Sequence, residues 1–189
     1  MPSLHRLSRP LHRRPRGPRD GLTVLELTIA LVVMTIAVGM LSGTMSSTSR
    51  VAPLQRESAL AAMAARSQLE AMRAQPFREL FALYNDVAAD DPGGAGTAPG
   101  SGFRVAGLRS PDGPQGFVGE VRFPGDGATL REDVEWVQLG MPRDLNRDDV
   151  VGDLDVSGSY FLLPVEVHMR WESMAGVREL RLHTMFISP

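Results

Sequence analysis

The sequence predicts an α+β chain, with a long N-terminal helix, transmembrane in its first half, whose second half packs on an antiparallel β-sheet. Three observations lead there. Residues 22–41 form a predominantly apolar run with a single charge, Glu26. Residues 54–75 are rich in Ala, Leu, Met, Arg and Glu, all good helix formers. From about residue 103 onward the apolar residues recur with a period of two, the strand period.

The chain has 189 residues, no cysteine and no lysine, so all 20 basic side chains are Arg. Without cysteine there is no disulfide and no thiolate metal or redox site. The net charge of -2 is unevenly spread. Residues 1–21 carry six Arg and one Asp, whereas residues 22–189 carry 14 Arg against 21 acids. That acidic remainder lacks the basic face nucleic acid requires, so no nucleic-acid binding is indicated.

Twenty helical residues span roughly 30 Å, the thickness of a bilayer core. The Arg-rich segment before them stays on the cytoplasmic side, which puts the rest of the chain across the membrane. A buried core helix and a cleaved secretory signal, cut near Ser42-Gly43-Thr44, are the competing readings. The run is long for a signal, and Glu26 would sit inside its apolar stretch. A carboxylate within a membrane helix costs about 2.5–3.5 kcal/mol and so calls for a partner. Residues 22–49 contain no Arg or His to provide one. Cleavage after Gly21 would create a charged α-amine on Leu22, four residues from Glu26 and on the same helix face. The amine of a neighbouring subunit could equally meet Glu26.

Gly21-Leu22-Thr23-Val24-Leu25-Glu26-Leu27, following a basic leader and opening a long apolar helix, resembles the processing site of type IV pilins and pseudopilins. The resemblance implies that a prepilin peptidase cuts between Gly21 and Leu22 and N-methylates Leu22. It also implies that Glu26 registers each subunit during assembly by pairing with a neighbour's N-terminus. The implied organisation is a leader over residues 1–21, a transmembrane and assembly helix over 22–50, an amphipathic second half over 51–76, and a periplasmic β-rich domain over 77–189. The implied partners are the prepilin peptidase, other pilin or pseudopilin subunits and an inner-membrane assembly platform. The chain would reside in the inner membrane as a single-pass protein and in the assembled filament. Glu26 points away from a tip subunit lacking that residue, and the small, Gly-rich globular part points to a minor pilin or pseudopilin.

Gly39, Gly43 and Pro53 predict a bend or partial melting between residues 39 and 53. In residues 54–75, Leu60, Met63, Leu69 and Met72 form the expected apolar face, with Glu57, Arg66, Glu70 and Arg73 mostly opposite. Pro76 stops the helix. Residues 85–102 read as a Gly/Pro/Asp loop without a core of its own, a connection expected to be disordered. Candidate strands follow at 103–105, at 117–123 with Phe117, Val121 and Phe123 inward beside Gly119, and at 133–139. The best pair is 160–170 with 177–187, joined by a loop at 172–176. A closing hairpin with Trp171 before the turn and Leu-His-Thr near the terminus again resembles minor pilins and type II secretion pseudopilins.

One segment could hold an ion. In residues 144–155, Asp144, Asn146 and Asp148 stand at alternate positions and Asp155 closes a twelve-residue frame. An EF-hand-like calcium loop takes oxygens at positions one, three, five, seven and twelve, the seventh from a backbone carbonyl, here that of Val150. Asp149 occupies the place of the usual turn Gly, and flanking helices are not predicted. The other reading is a solvated acidic turn. His168 and His183, on the two hairpin strands, read as exposed histidines that face each other without a third ligand. No phosphate loop, nucleophile–base arrangement or anchored carboxylate pair is found, so the chain is not expected to be an enzyme. Asp90-Asp91 lies in the loop and is too weakly anchored to act as a pair. The reading from another class is a membrane-tethered extracytoplasmic module that binds calcium or another ligand and does not polymerise.

Overall fold

The structure, a computed structural model, describes residues 23–189, with side chains over 23–42 and 53–189. Its elements are α1 (Val24–Arg73), α2 (Leu80–Tyr84), β1 (Gly102–Phe103), β2 (Gly119–Arg122), β3 (Leu162–Ser173) and β4 (Gly176–Ile187). Single 3-10 turns occur at Phe77–Glu79 and Val137–Leu139. The chain divides into two units, one ending at Ser47 and one covering Thr48–Pro189.

In the first unit, Val24–Ser42 is apolar, with a mean hydropathy of 2.4, and none of it is buried within the molecule. One helix is therefore long and apolar enough to cross a membrane. Its hydroxyls are satisfied by the helix itself. Thr28 Oγ1 donates to the Leu25 carbonyl at 2.8 Å, Thr35 Oγ1 to Leu31 at 2.7 Å and Ser42 Oγ to Val38 at 2.9 Å. Such back-bonding leaves little polar surface outward, as an apolar solvent requires.

The partial melting allowed for over 39–53 is not seen: α1 stays helical through these residues with Pro53 inside it. Pro53 forfeits one backbone donor, and the next turn is reinforced from elsewhere. The Leu54 carbonyl accepts from Ser58 Oγ at 2.9 Å and from Arg178 at 3.4 Å.

In the second unit the sheet order is β1-β2-β3-β4, antiparallel throughout. β3 is the central spine. Leu163, Val165, Val167, Met169 and Trp171 alternate along one face and are almost fully buried. They join Ala61, Ala65, Leu69 and Met72 of α1, and Leu80, Phe81 and Tyr84 of α2, in one core cluster. Phe81 packs on Phe123 and Phe77 on Tyr160, each at 5.1 Å between centroids. Tyr160 ties the segment between β2 and β3 to the core. Its hydroxyl donates to the Phe77 carbonyl at 2.7 Å and accepts from Phe81 N–H at 3.3 Å.

The core face of α1 differs from the expected one. Leu69 and Met72 are buried, but Leu60 is half-buried and Met63 is 64% exposed. The seam runs through Ala61 and Ala65 because small side chains let the helix lie close to the sheet. Met72→Ala is expected to cost about 3 kcal/mol of unfolding free energy, whereas Met63→Ala stays within about 0.5 kcal/mol. Chemical denaturation of the two variants checks this.

Three further expectations are corrected. Residues 133–139 form no strand. The Leu139 and Gly140 N–H groups bond back to Trp136 and Val137, giving a 3-10 turn that Gly140 closes at φ +69°. Phe117 is 55% exposed because the register slips just before β2. Val118 N–H bonds to Phe103 while its carbonyl accepts from Arg170, so Val118 turns inward instead. Phe103 in turn lies against Gly119, where any Cβ would collide with its ring. Residues 85–102 carry no helix or strand, as expected, until β1 begins at Gly102, but the loop is pinned. Asn85 donates to Asp90 at 2.7 Å, Ala98 N–H to Asp91 at 3.1 Å and Val87 N–H to Asn85 at 2.9 Å. Asp90 and Asp91 thus hold the loop and do not form a pair.

Candidate functional site

Gly21 and Leu22 lie outside the described residues. Glu26 is described, three residues after Thr23, the residue that precedes α1. Thr23 Oγ1 accepts the Glu26 N–H at 3.3 Å, the N-cap half of a capping box. The sequence signal for this was Thr-x-x-Glu ahead of an apolar run, and it assigns Glu26 a local place as well. A carboxylate in the first helical turn is favoured by the positive end of the helix dipole. Among the described residues Glu26 enters no ion pair, and its surroundings are exposed.

The acidic segment folds into a tight knot built on carboxylate–backbone bonds. Asp144 accepts from the N–H groups of Arg147 at 2.6 Å and Asp149 at 2.9 Å. Asp148 accepts from Val150 N–H at 2.9 Å and from Asn146 Nδ2 at 3.0 Å. Arg147 and Asp149 both have φ near +64°, a left-handed geometry that the surrounding bonds hold in place. The organiser is Glu132, which lies outside the segment. It is buried, and its carboxylate accepts from Leu145 N–H at 2.7 Å, Asn146 N–H at 3.1 Å and Gly152 N–H at 3.4 Å.

Oxygen atoms of Glu132, Asp144 and Asp148 lie within 4.8 Å of one another. Of the five sequence candidates, then, Asp144 and Asp148 come together and Asn146 sits against Asp148. Val150 contributes its N–H to Asp148. Asp155 is engaged elsewhere, accepting from Leu130 N–H at 3.0 Å and from Ser157. Glu132 takes the place in the cluster that the twelve-residue frame assigned to Asp155. Three carboxylates with all-oxygen donors suit a hard cation such as calcium.

A third constellation covers the sheet face opposite the core. Cross-strand pairing aligns Arg122, Glu166 and His183 in one row and Glu120, His168 and Arg181 in the next. Glu166 is 2% exposed, yet it is matched by His183 at 2.8 Å and by Arg122 at 3.8 Å. His168 is also buried, contrary to the expectation of an exposed side chain, and meets Glu179 at 3.1 Å. The two histidines do not pair with each other, since His168 is opposite Arg181 and His183 opposite Glu166. Hydrogen bonding with His168 and then Arg181 holds the Glu179 carboxyl below the usual range. These are alternating-sign cross-strand pairs of the kind that set sheet register.

No protein-family model, curated protein or solved structure matches this chain.

Proposed function

We propose that this chain is a minor pilin or pseudopilin, a structural subunit of a type IV pilus-like filament serving pilus biogenesis or type II secretion. The observation that carries the reading is the apolar helix Val24–Ser42, bare of intramolecular cover and bearing one carboxylate at its start. Such a surface needs either lipid or other helices around it. Both are available to a subunit that waits in the inner membrane and then joins a filament through helix packing. The leader ending at Gly21 and the four-residue spacing from Leu22 to Glu26 provide the trigger. Cutting there exposes an ammonium that can meet Glu26 of a neighbour, a contact strengthened by the low dielectric of its surroundings. The α+β globular part, closed by the β3–β4 hairpin, is compatible with the fold such subunits use. Its work is structural, and a prepilin peptidase and an inner-membrane assembly platform are the partners this reading requires.

The test is peptidase-dependent shortening. Co-expressed with an active prepilin peptidase, the chain loses its leader, and Gly21→Val blocks that loss. Shortening that ignores both the peptidase and the Gly21 substitution counts against the reading.

A second reading rests on the Glu132–Asp144–Asp148 cluster: an extracytoplasmic calcium site, in a tethered module or in the pilin-like subunit itself. Calcium at tenfold its dissociation constant then raises the melting temperature by about 5 °C. Identical melting curves in millimolar calcium and in chelator would exclude it.

A further inference from the structure

β4 is an edge strand of twelve residues, last in the sheet order and paired only with β3. Which of its backbone groups are unused follows from its neighbours. Arg170 N–H bonds to Val118 and Glu172 N–H to Arg109, so the even-numbered residues of β3 turn away from β4. The odd-numbered ones turn toward it, and through the register Leu162↔Ile187 to Ser173↔Gly176 they meet even-numbered residues of β4. Val177, Glu179, Arg181 and His183 therefore aim their N–H and C=O groups outward. Among the described residues, no backbone hydrogen bond is made to them from outside the hairpin.

Natural sheets usually blunt such an edge with Pro, a bulge or like charges. Here the register with β3 is continuous and the strand contains no Pro. Its charges do not all repel. Glu179 and Arg181 are half exposed and opposite in sign. Toward the far end, Arg143 Nη1 lies against Met185 Sδ at 3.7 Å.

We propose that Val177–His183 pairs antiparallel with the same stretch of a second copy, about a two-fold axis through Leu180. The outward backbone groups permit only registers that join odd to odd residues. Among these, the register centred on Leu180 puts Glu179 opposite Arg181 of the second copy, and does so twice. A shift of one step toward the C-terminus sets Arg181 against Arg181. The opposite shift sets Glu179 against Glu179. Charge complementarity thus favours this self-complementary pairing, since both one-step slips set like charges against each other. The half-buried Leu180 side chains of the two copies meet on the core-side face. This inference concerns the globular unit and stands whether or not the chain enters a filament.

The test uses the full chain in detergent micelles, where the absence of native cysteine makes an introduced thiol unambiguous. In the proposed pairing the two Leu180 residues form a non-hydrogen-bonded pair with Cα atoms about 4.5 Å apart, within disulfide reach. The two Leu182 residues are displaced by four positions, about 13 Å, and are out of reach. With copper-phenanthroline as oxidant, Leu180→Cys gives a cross-linked dimer, and Leu182→Cys gives at least about tenfold less. Glu179→Arg, an exposed change, weakens the dimer about tenfold, and adding Arg181→Glu restores it. Sedimentation of the cysteine-free charge variants reads the same series independently of any effect of the thiols on folding. Equal cross-linking at 180 and 182, or a double reversal that fails to restore association, overturns the proposal.

Discussion

On the pilin-like function proposed above, Glu26→Gln is expected to leave the start of α1 intact and to remove the chain from filaments. The variant separates the place that the geometry gives Glu26 in the first turn of α1 from the assembly role proposed for its charge. In the first turn of α1 the observed bond uses only its backbone N–H, donated to Thr23 Oγ1, and Gln supplies that group equally. As the acidic mate of a neighbour's N-terminal amine it needs charge, which Gln lacks. Loss of the ion pair at each subunit contact is expected to reduce incorporation at least about tenfold, equivalent to about 1.4 kcal/mol per contact. Leader removal and the melting of the globular unit stay unchanged, since Glu26 is exposed and lies outside that unit. Quantifying the variant in sheared filaments against the membrane pool checks this. Incorporation equal to wild type would leave Glu26 without the proposed assembly role.

Glu132→Ala is expected to lower the unfolding free energy by about 3 kcal/mol and the melting temperature by about 10 °C. The reason is the number of donors that depend on one buried carboxylate. The N–H groups of Leu145, Asn146 and Gly152 all converge on it. Truncation leaves the buried Leu145 N–H and the half-buried Asn146 and Gly152 N–H groups without this acceptor. Asp155→Ala, which removes an acceptor on the same connection for Leu130 and Ser157, is expected to cost about 1 kcal/mol. Thermal melts of both variants, with and without calcium, give the comparison. Only Glu132→Ala removes a member of the carboxylate cluster, so only it is expected to abolish any calcium-dependent rise.

These two residues also mark what could be read from the sequence and what could not. The apolar run around Glu26 was legible because its length and composition are local properties. The hairpin was legible for the same reason. Period-two alternation from residue 160 onward located β3 and β4 to within a few residues, although the true loop is only Met174-Ala175. Glu132 was not legible, since what makes it important is a contact made twelve or more residues away, and nothing in its immediate neighbours signals burial. The core face of α1 was misread because Ala61 and Ala65 contribute little apolar weight, whereas Met63 contributes much and points outward. Burial there is decided by how closely the helix approaches the sheet. Glu166 and His168 look like the solvated side of an alternating strand. They are buried because flanking strands supply His183, Arg122 and Glu179 as partners across the same face. For the acidic segment, spacing identified Asp144 and Asp148 correctly as neighbours. The twelve-residue frame failed at Asp155 because the chain turns to cap Leu130 before the frame closes.

The most direct measurement is the mass and sequence of the N-terminal peptide of the chain recovered from the membrane fraction of its native host. The account requires that peptide to start at Leu22 with a methylated amine. A peptide that starts at Met1, or one that starts near Thr44, contradicts it.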